Sequence, residues 1–372
     1  MKVALVHDYI KEYGGAESVL ETLSDLFPDA PIFTSLYQPR SLGPHRSRLE
    51  KKWSHRIHQS FFRFLPFASN LISPLRLLSP LAFGSFDFSG YDLIISSATG
   101  AYFPNSLNKR SASLVCYCHT PPRYLYGLAT ARDWSKNKLV YAFARFANHF
   151  LRLLDFKYAQ NVDCFIANSS TTAARIKKFY RRDSIVINPP VCLPDLSKIK
   201  SVKKSGYLVT GGRLARAKRY DVAIQACNKL KLPLKVFGRD FAGSEAELKT
   251  IAGSTVEFLG EISESQKWFL LSGASAFIFC SDNEDFGIAP VEAMACGCPV
   301  VAYKSGGVVE TVIDGQTGVF FNELTSDSCL EAIQKISNLK IDPDDCIKRA
   351  AGFSSAVFID KINDLISSEV KH

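Results

Sequence analysis

Two glutamates in one short stretch have the chemistry to hold a polyhydroxylated ligand. The stretch reads EDFGIAPVEAMACGCPVV and places Glu284 and Glu292 eight positions apart. A carboxylate accepts hydrogen bonds, and two neighbouring sugar hydroxyls can donate to it together. An apolar run at residues 274–280 precedes the stretch, while Pro290 suits a first helical position and Gly297 a C-terminal cap. We therefore expect a strand, then a loop carrying Glu284, then a short helix with Glu292 near its third position.

The same two glutamates allow other roles. One could stabilise the helix N-terminus while the other is exposed to solvent. They could also serve as a general acid and base, a role that depends on a separation unknown from sequence. Ligand binding, helix stabilisation and acid–base catalysis all stay open as hypotheses.

Glycine pairs that follow strand-like runs offer places for a phosphate-bearing ligand. In TGGRLARAKRYD, Arg213 and Lys218 follow Gly211-Gly212 and precede a helix expected to start near residues 220–221. Small-residue backbone, a helix N-terminus and two cations together favour diphosphate oxygens, although a solvated basic loop explains the same residues. The pair Gly14-Gly15 either lets the backbone approach a ligand or serves a tight turn. Its matching position after the first strand favours ligand binding.

His119 stands where a strand is expected to end. It follows LVCYC and precedes two prolines, which stiffen the backbone just beyond it. A histidine at the carboxyl end of a parallel strand is placed to touch a ligand, but many histidines only satisfy local hydrogen bonds. Both interpretations stay open.

Residues 51–86 mix basic and aromatic side chains and contain no acid. The cations are Lys51, Lys52, Arg56, Arg63 and Arg76. Such a mixture suits docking on an anionic bilayer and the handling of a lipid-borne substrate. Prolines at 66, 74 and 80 break any long helix. The alternative is a partly buried helical excursion of the first domain with an exposed basic rim.

The whole chain has the composition of a globular enzyme with two domains. It has 372 residues, 47% of them hydrophobic, and a formal net charge of +9 from 45 Lys and Arg against 36 Asp and Glu. The positive balance favours an acidic partner such as a phosphorylated substrate or anionic lipid. It is spread over many segments without a recognition motif, which argues against nucleic acid.

The cysteines and the hydropathy pattern bear on location. The ten cysteines lack zinc-site spacing and suit reduced core thiols, so we expect a cytoplasmic chain. The first residues resemble a strand more than a signal peptide. No run approaches the roughly 18 apolar residues of a membrane-spanning helix, so any membrane contact is expected to be peripheral.

Strand-length apolar runs alternate with helix-like segments in both halves, which predicts parallel α/β sheets. Nine strands are expected, at residues 3–7, 93–96, 113–117, 164–168, 207–210, 234–237, 256–259, 276–280 and 299–302. A polar, proline-containing stretch from Asn188 marks a boundary. We predict one domain at 1–188, a second at 189–354, and a helix at 355–372 that packs back on the first. Two doubly wound domains facing across a cleft would place both glycine loops on one ligand.

These motifs resemble those of the retaining glycosyltransferases of family 4, which have the GT-B fold of two Rossmann-like domains. The specific marker is Glu284 with seven residues before Glu292, within EDFGIAPVEAMACGCPVVAYKSGG, supported by GGRL with Lys218 and by DGQTGVFF. The similarity covers nearly the whole chain. GGAE and CHTPPRYLY are similar to O-antigen and exopolysaccharide mannosyltransferases within the family, a looser match.

The resemblance implies roles for the predicted second domain. Glu284 would contact hydroxyls of the donor sugar, and Glu292 would hold the nucleotide ribose. Arg213 and Lys218 would grip the donor diphosphate. The backbone amides that would help them are those of Phe286, Gly287 and Ile288.

Two further contacts are implied in the first domain. The Gly14-Gly15 pair, and the Gly15 amide in particular, would approach the same diphosphate. His119 would approach the donor sugar near its reacting face, and would form the catalytic set with Glu284, Arg213 and Lys218.

The implied reaction is transfer of a hexosyl group, most simply mannose from GDP-mannose, with its anomeric configuration retained. The acceptor would be a lipid-linked or free saccharide in the synthesis of a surface polysaccharide such as lipopolysaccharide, at the inner face of the cytoplasmic membrane. No metal or other cofactor is expected, since the D-x-D match at Asp342 and Asp344 lies beyond the last strand signal.

Two alternatives remain: a UDP-hexose donor on the same fold, and a catalytically silent subunit that binds sugar nucleotides. A nicotinamide dehydrogenase is disfavoured because neither glycine loop carries G-x-G-x-x-G.

Overall fold

The computed structural model describes residues 1–68, 70–128, 138–199 and 202–369. The chain divides into two compact units. The first contains the described parts of Met1–Leu128, Asp133–Pro190 and Ser355–His372, and the second contains those of Val191–Ser354. The C-terminal segment therefore belongs to the same unit as the N-terminus.

The first unit is built on a parallel sheet of seven strands. The strands are β1 (Val3–His7), β2 (Ile32–Thr34), β3 (Ile57–Gln59), β4 (Leu93–Ala98), β5 (Ser113–Cys118), β6 (Cys164–Ala167) and β7 (Ile185–Val186). Their order is β3-β2-β1-β4-β5-β6-β7, and every neighbouring pair is parallel. The strand order reverses between β1 and β4. The carboxyl ends of these two strands thus form the switch point where sheets of this kind bind ligands.

Helices cover both faces of this sheet. They are α1 (Gly15–Leu26), α2 (Arg46–Trp53), α3 (Ile72–Leu75), α4 (Ser79–Gly84), α5 (Lys138–Ala159) and α6 (Ser170–Tyr180). Successive side chains of β1 enter different cores, since Ala4 and Val6 join one apolar cluster and Val3 and Leu5 the other. A strand buried on both faces is apolar at every position, which is why β1 reads as a continuous apolar run.

The second unit repeats this architecture with six strands. The strands are β8 (Leu208–Gly211), β9 (Leu234–Phe237), β10 (Val256–Gly260), β11 (Ala276–Phe279), β12 (Val300–Tyr303) and β13 (Gly318–Phe321). The order β10-β9-β8-β11-β12-β13 is again wholly parallel. The switch point of this sheet lies between β8 and β11.

The helices of the second unit also pack on both faces of its sheet. They are α7 (Leu196–Ile199), α8 (Tyr220–Leu230), α9 (Ser244–Ile251), α10 (Glu264–Gly273), α11 (Ile288–Ala295), α12 (Val308–Thr311), α13 (Ser326–Asn338) and α14 (Pro343–Ala351). Phe277 and Phe279 of β11 enter one core while Ala276 and Ile278 enter the other.

The last helix, α15 (Ser355–Glu369), packs within the first unit. Phe358, Ile362 and Leu365 are buried in the same apolar cluster as β1. The Phe358 ring meets the Tyr117 ring of β5 edge-on, with 5.7 Å between the ring centroids. These apolar contacts hold the helix on the sheet of the first unit.

The predicted α/β fold class is confirmed, and each of the nine predicted strands exists within two residues of its predicted ends. Four strands were not predicted: β2, β3, β7 and β13. The first three are only two or three residues long, and β7 is exposed at the edge of its sheet. Strands so short carry too few residues for a periodic signal.

The prediction for the start of α11 was wrong by two residues. The helix begins at Ile288, so Pro290 is its third residue and Glu292 its fifth. Proline is tolerated there because the N–H groups of a first helical turn have no partner within the helix. The displaced start is set by Gly287, whose φ of 92° gives the turn that enters the helix.

Candidate active site

The loops that leave β8 and β11 carry the predicted cationic and acidic residues of the second unit. Since β8 and β11 are neighbours at the switch point, their carboxyl ends lie side by side. Gly212 follows β8 with φ 126°, and a Cβ on Gly211 would overlap the ring and carbonyl of Phe237 on β9. The glycine pair is therefore required by close backbone packing as well as by turn geometry.

Lys218 and Glu284 form an ion pair at this switch point. Both side chains are about three-quarters buried, and Ser281 Oγ donates a hydrogen bond to Glu284 Oε2 at 2.6 Å. The Lys218 ammonium also lies 5.9 Å from the centre of the Phe279 ring. A cation and a carboxylate are thus held side by side, which is what a ligand with both anionic and hydroxyl groups requires.

Arg213 belongs to the same neighbourhood. Its guanidinium lies 5.2 Å from the centre of the Phe241 ring, and its carbonyl accepts a 3.4 Å hydrogen bond from the Tyr220 hydroxyl. Burial raises the pKa of Tyr220 well above its ordinary value, the charge of Glu284 adds to the rise, and that of Arg213 opposes it. The charges of Arg213 and Glu284 therefore both act on the pKa of the buried Tyr220 hydroxyl.

The buried side chain of Phe286 anchors the backbone between Glu284 and α11. Phe286 is buried against Phe353, with 5.4 Å between ring centroids, so only its main chain faces the loop region. Gly287 precedes Ile288 as the residue that caps α11. The predicted backbone contacts at Phe286, Gly287 and Ile288 thus lie at a helix start.

A second loop, after β12, supports the Glu284 loop and was not identified from sequence as a structural partner. Gly307 N donates to Glu284 O at 2.8 Å, and Asn283 N donates to Ser305 Oγ at 3.1 Å. Gly306 has φ 73°, and a Cβ on it would overlap the Glu284 carbonyl. The available signal was the Gly-Gly pair after a strand, which marks close backbone approach.

Glu292 pairs with Lys267 of α10, with 2.7 Å between Nζ and Oε1. Both side chains are 18% exposed. Burial is the largest single influence on the pKa of Lys267 and lowers it, but the charge and hydrogen bond of Glu292 together with the charge of Glu264 make the net shift upward. Lys267 was missed because it stands 25 positions from Glu292, on a different helix.

In the first unit, a row of polar side chains crosses the switch point between β1 and β4. His7 Nδ1 lies 3.0 Å from Ser97 Oγ, and Ser97 Oγ lies 2.9 Å from His119 Nε2. On the other side, His7 Nε2 lies 3.7 Å from Glu17 Oε1. His7, Ser97 and Glu17 are all buried, while His119 is half-buried at the end of the row.

His119 is held as a neutral imidazole. Burial and, to a smaller extent, the charge of the neighbouring His7 together lower its pKa to about 3. Its ring meets Tyr117 edge-on, with centroids 5.0 Å apart. A neutral ring can exchange hydrogen bonds with a sugar hydroxyl but carries no charge with which to bind phosphate.

Glu17 links this row to the glycine pair at the start of α1. Gly14 precedes the helix, and its N–H donates to Glu17 Oε2 at 2.9 Å while Oε1 faces His7. Gly15 is the first residue of the helix. The GGAE motif therefore serves helix capping as well as the position of His7.

Asp8 holds the loop that follows β4. It is fully buried, and its Oδ2 accepts hydrogen bonds from Thr99 Oγ1 at 2.6 Å and from the backbone N–H groups of Ala101 and Tyr102 at 3.0 Å. Burial raises its pKa, and these hydrogen bonds act against the rise. His7, Asp8 and Ser97 were missed because each contact joins residues about 90 positions apart.

Within residues 1–68, 70–128, 138–199 and 202–369, no group of three or more His, Cys, Asp or Glu side chains is placed to hold a metal ion. Asp342 caps α14, its Oδ1 accepting from Asp344 N at 2.9 Å. None of the helices in these ranges is long and apolar enough to cross a membrane.

Comparisons with known proteins match both units. Residues 195–353 match the family described as "Glycosyl transferases group 1", and residues 13–193 match "Glycosyltransferase Family 4". Alpha-1,3/1,6-mannosyltransferase ALG2 of Homo sapiens is 29% identical over 280 residues, covering 66% of this chain and 64% of the human protein. The Schizosaccharomyces pombe alg2 protein is 25% identical over 373 residues, covering 86% of this chain and 70% of its own. The solved structure of Anabaena HepE with UDP-glucose has a TM-score of 0.67 at 19% identity, covering 99% of this chain and 100% of that one.

The two matched regions together take in most of the chain, and the structural likeness spans nearly all of it. Its fold is therefore GT-B, with two Rossmann-like domains. Both matched families are families of glycosyltransferases, one for each unit. The chain spans 64% of the length of the human relative that it matches.

Proposed function

We propose that this protein transfers a hexosyl group from a nucleoside diphosphate sugar to an acceptor hydroxyl, with retention of the anomeric configuration. The observation that carries the proposal is the Lys218–Glu284 pair beside Arg213 at the switch point of the second unit. The cations suit the diphosphate and the carboxylate suits the sugar hydroxyls. The matches to two glycosyltransferase families support the same chemistry.

In this mechanism the costly event is departure of the diphosphate while positive charge grows on the sugar. Arg213 and Lys218 stabilise the leaving oxygens, because fixed cations act most strongly where negative charge develops. Glu284 holds the sugar hydroxyls, and the N–H groups at the start of α11 add a favourable dipole. Attack comes from the face that the diphosphate leaves, and the leaving phosphate accepts the proton of the acceptor hydroxyl. The chain's residues need no metal for these steps.

The remaining contacts complete the donor site. Glu292 holds the ribose, and for this it must exchange part of its pairing with Lys267 for the ribose hydroxyls. Gly15 presents its amide to the diphosphate. The neutral His119 ring exchanges a hydrogen bond with the donor sugar near the reacting carbon.

The donor is GDP-mannose in this proposal, because the relatives above are named as mannosyltransferases. A UDP-hexose is the alternative, and it has the support of the HepE complex with UDP-glucose at the level of the fold. Calorimetric titration with GDP-mannose, UDP-glucose, UDP-galactose and UDP-N-acetylglucosamine decides between them. Tight binding of a UDP-sugar with no response to GDP-mannose would replace the mannose assignment.

Glu284→Ala separates an active enzyme from a silent sugar-nucleotide-binding subunit. The variant should lose two activities, transfer to a lipid extract and the slow hydrolysis of the donor. It should still bind the free nucleoside diphosphate, since the cations remain. Glu331→Ala, an exposed acid on α13, is the matched control and should retain both properties. If the wild-type chain binds donors tightly but neither transfers nor hydrolyses them, the silent subunit is the correct description.

The acceptor is a saccharide on a lipid carrier, used in surface polysaccharide such as O-antigen or exopolysaccharide, and the protein works as a peripheral protein at the inner face of the cytoplasmic membrane. Support comes from the segment 51–86, where Phe64, Phe67 and Leu81 are 72%, 76% and 65% exposed. Exposed apolar side chains beside cations suit the interface of an anionic bilayer.

Only part of that segment's charge faces solvent. Arg56 is buried and donates to the carbonyls of Ala30, Ser24 and Phe27, and Lys52 pairs with Glu21 and Asp25. Arg76 stacks on Tyr124. Lys51 and Arg63 are exposed, with Arg63 lying 4.5 Å above the Phe64 ring. The attraction to an anionic surface therefore rests on fewer charges than the sequence count of five.

Co-sedimentation with phosphatidylserine vesicles tests this docking. Phe64→Ser with Phe67→Ser should reduce binding at every salt concentration, because it removes apolar surface that would enter the bilayer. Added salt should weaken the binding of both chains, because both keep the same cations. Phe269→Ser, an exposed phenylalanine on α10 of the second unit, is the comparison variant. Absence of vesicle binding at low salt would reject the proposed docking.

A further inference from the structure

An open groove of about 710 Å³ lies on the first unit beside α5. Its described lining consists of Tyr124, Leu125, Tyr126, Gly127, Arg145, Asn148, His149, Arg152 and Phe179. One wall comes from the loop after β5 and the end of α6, and the other comes from α5. None of these lining residues takes part in the proposed binding of the donor.

The α5 wall presents a row of basic side chains. Arg145, His149 and Arg152 are exposed and follow one another at spacings of four and three, so they share one face of the helix. The sole acid of the α5 sequence is Asp155. It is buried and accepts hydrogen bonds from the hydroxyls of Tyr126 at 2.8 Å and Tyr180 at 3.3 Å. The described lining of the groove therefore combines cations with no carboxylate.

The opposite wall is aromatic and firmly positioned. Tyr126 stacks on Phe179 with 4.2 Å between ring centroids and an angle of 13° between planes. Its hydroxyl is fixed by Asp155, and Asn148 of α5 donates to the Tyr124 carbonyl at 3.4 Å. Tyr124 in turn packs beneath the Arg76 guanidinium at 3.7 Å. Rigid aromatic faces of this kind suit a sugar ring or an unsaturated hydrocarbon chain.

A second row on α5 is apolar and exposed. Phe146, Phe150 and Leu153 are 66%, 51% and 59% exposed, again at spacings of four and three. The rings of Phe146 and Phe150 meet edge-on with centroids 5.0 Å apart. Each residue of this row directly follows a residue of the basic row, so the two rows run side by side along the helix.

We propose that this groove binds the phosphate-bearing end of the lipid acceptor, with Arg145 and Arg152 on the phosphate oxygens and the hydrocarbon chain along Phe146 and Phe150. Arginine suits this role because its planar fork makes paired hydrogen bonds to phosphate and remains charged at every relevant pH. The side-by-side rows match a ligand with an anionic head and an apolar tail. The proposal rests on the proposed function, which supplies the lipid-linked acceptor.

Calorimetry with three soluble probes tests the proposal on the full chain. Farnesyl diphosphate carries both the head and the tail, whereas pyrophosphate and farnesol carry one each. The wild-type chain should bind farnesyl diphosphate about 10-fold more tightly than either fragment, because only the complete probe meets both rows.

Two variants locate the binding. Arg145→Gln combined with Arg152→Gln should weaken farnesyl diphosphate binding about 10- to 100-fold, without lowering the melting temperature, since both side chains are exposed. Arg110→Gln removes an exposed cation before β5, at the other end of the strand from the groove, and should leave binding unchanged. Equal binding by the wild-type chain and the double variant overturns the proposal.

Binding to vesicles distinguishes arginines that hold a single lipid phosphate from arginines that are attracted to an anionic bilayer surface. The double variant should retain most of its binding to phosphatidylserine vesicles, because the segment 51–86 is intact. A loss on vesicles as large as the loss on farnesyl diphosphate also overturns the proposal, since the arginines would then serve the bilayer as a whole. Titration of nucleotide sugars into the same samples separates the two proposals: failure of every donor to bind rejects the proposed function, while the farnesyl diphosphate result still stands.

Discussion

Replacing Ser97 by alanine tests the polar row of the first unit without knowledge of the substrate. The Ser97 hydroxyl is the shared partner of His7 Nδ1 at 3.0 Å and His119 Nε2 at 2.9 Å. Alanine removes both hydrogen bonds and offers neither ring a replacement. A buried polar group that loses its partner costs about 1–3 kcal/mol, and His7 is fully buried while His119 is half-buried and partly solvated. We expect the free energy of unfolding to fall by about 2–4 kcal/mol.

Urea denaturation followed by circular dichroism measures this loss, and hydrogen exchange locates it. The amides of β1, β4 and β5 should exchange faster in Ser97→Ala, because these strands carry the row. Ser96→Ala is the matched control, since the adjacent Ser96 hydroxyl is buried and interacts with the Cys116 thiol, a weak partner, rather than with the histidines of the row. Its removal should change the free energy by less than about 0.5 kcal/mol.

The two serine variants together decide the matter. If Ser97→Ala is as stable as Ser96→Ala, or if its faster exchange falls in the second unit, the row does not hold the switch point of the first unit. Loss of stability in both variants by the same amount would indicate a general cost of altering β4.

Gly306→Ala should destabilise the chain by clearly more than Gly315→Ala, because both glycines have positive φ but only Gly306 has the Glu284 carbonyl where a Cβ would stand. The φ cost alone is about 1–2 kcal/mol, and equal losses in thermal unfolding would refute the close-packing argument. Asp155→Asn should gain stability relative to the wild-type chain as pH rises from 4 to 8. Burial raises the pKa of Asp155 from 3.8 to about 7, so its protonated form stabilises the wild-type fold at low pH and that stability is lost as pH passes 7. A pH-independent difference between their urea midpoints would contradict this.

Much of the fold followed from sequence because parallel strands covered on both faces are apolar at every position. The short edge strands β3 and β7 were not predicted, because their positions are half-buried or exposed and do not form an apolar run. Strand order was the missing information. The apolar runs predict how many strands exist, whereas which two become neighbours depends on packing of the whole sheet.

The same limit explains which residues of the candidate site could be identified from sequence. Glu284, Arg213 and Lys218 stand in loops with local signals, glycine pairs and a strand end, so residue type and position sufficed. Ser97 and His7 have no such signal, because each is one polar residue at the end of an apolar run. Their roles arise only when β1, β4 and β5 come together in the sheet.

The protons of the first-unit row are constrained by a simple count. A serine hydroxyl has one proton, so Ser97 donates to one of the two rings and accepts from the other. If His7 keeps its proton on Nε2, facing the Glu17 carboxylate at 3.7 Å, then its Nδ1 must accept from Ser97. Ser97 then accepts from His119 Nε2–H, and His119 Nδ1 is left as an acceptor, as the proposed hydrogen bond from a sugar hydroxyl requires. The opposite order would aim a bare His7 Nε2 at a carboxylate, which is repulsive, so the buried Glu17 selects the tautomer of a ring three groups away.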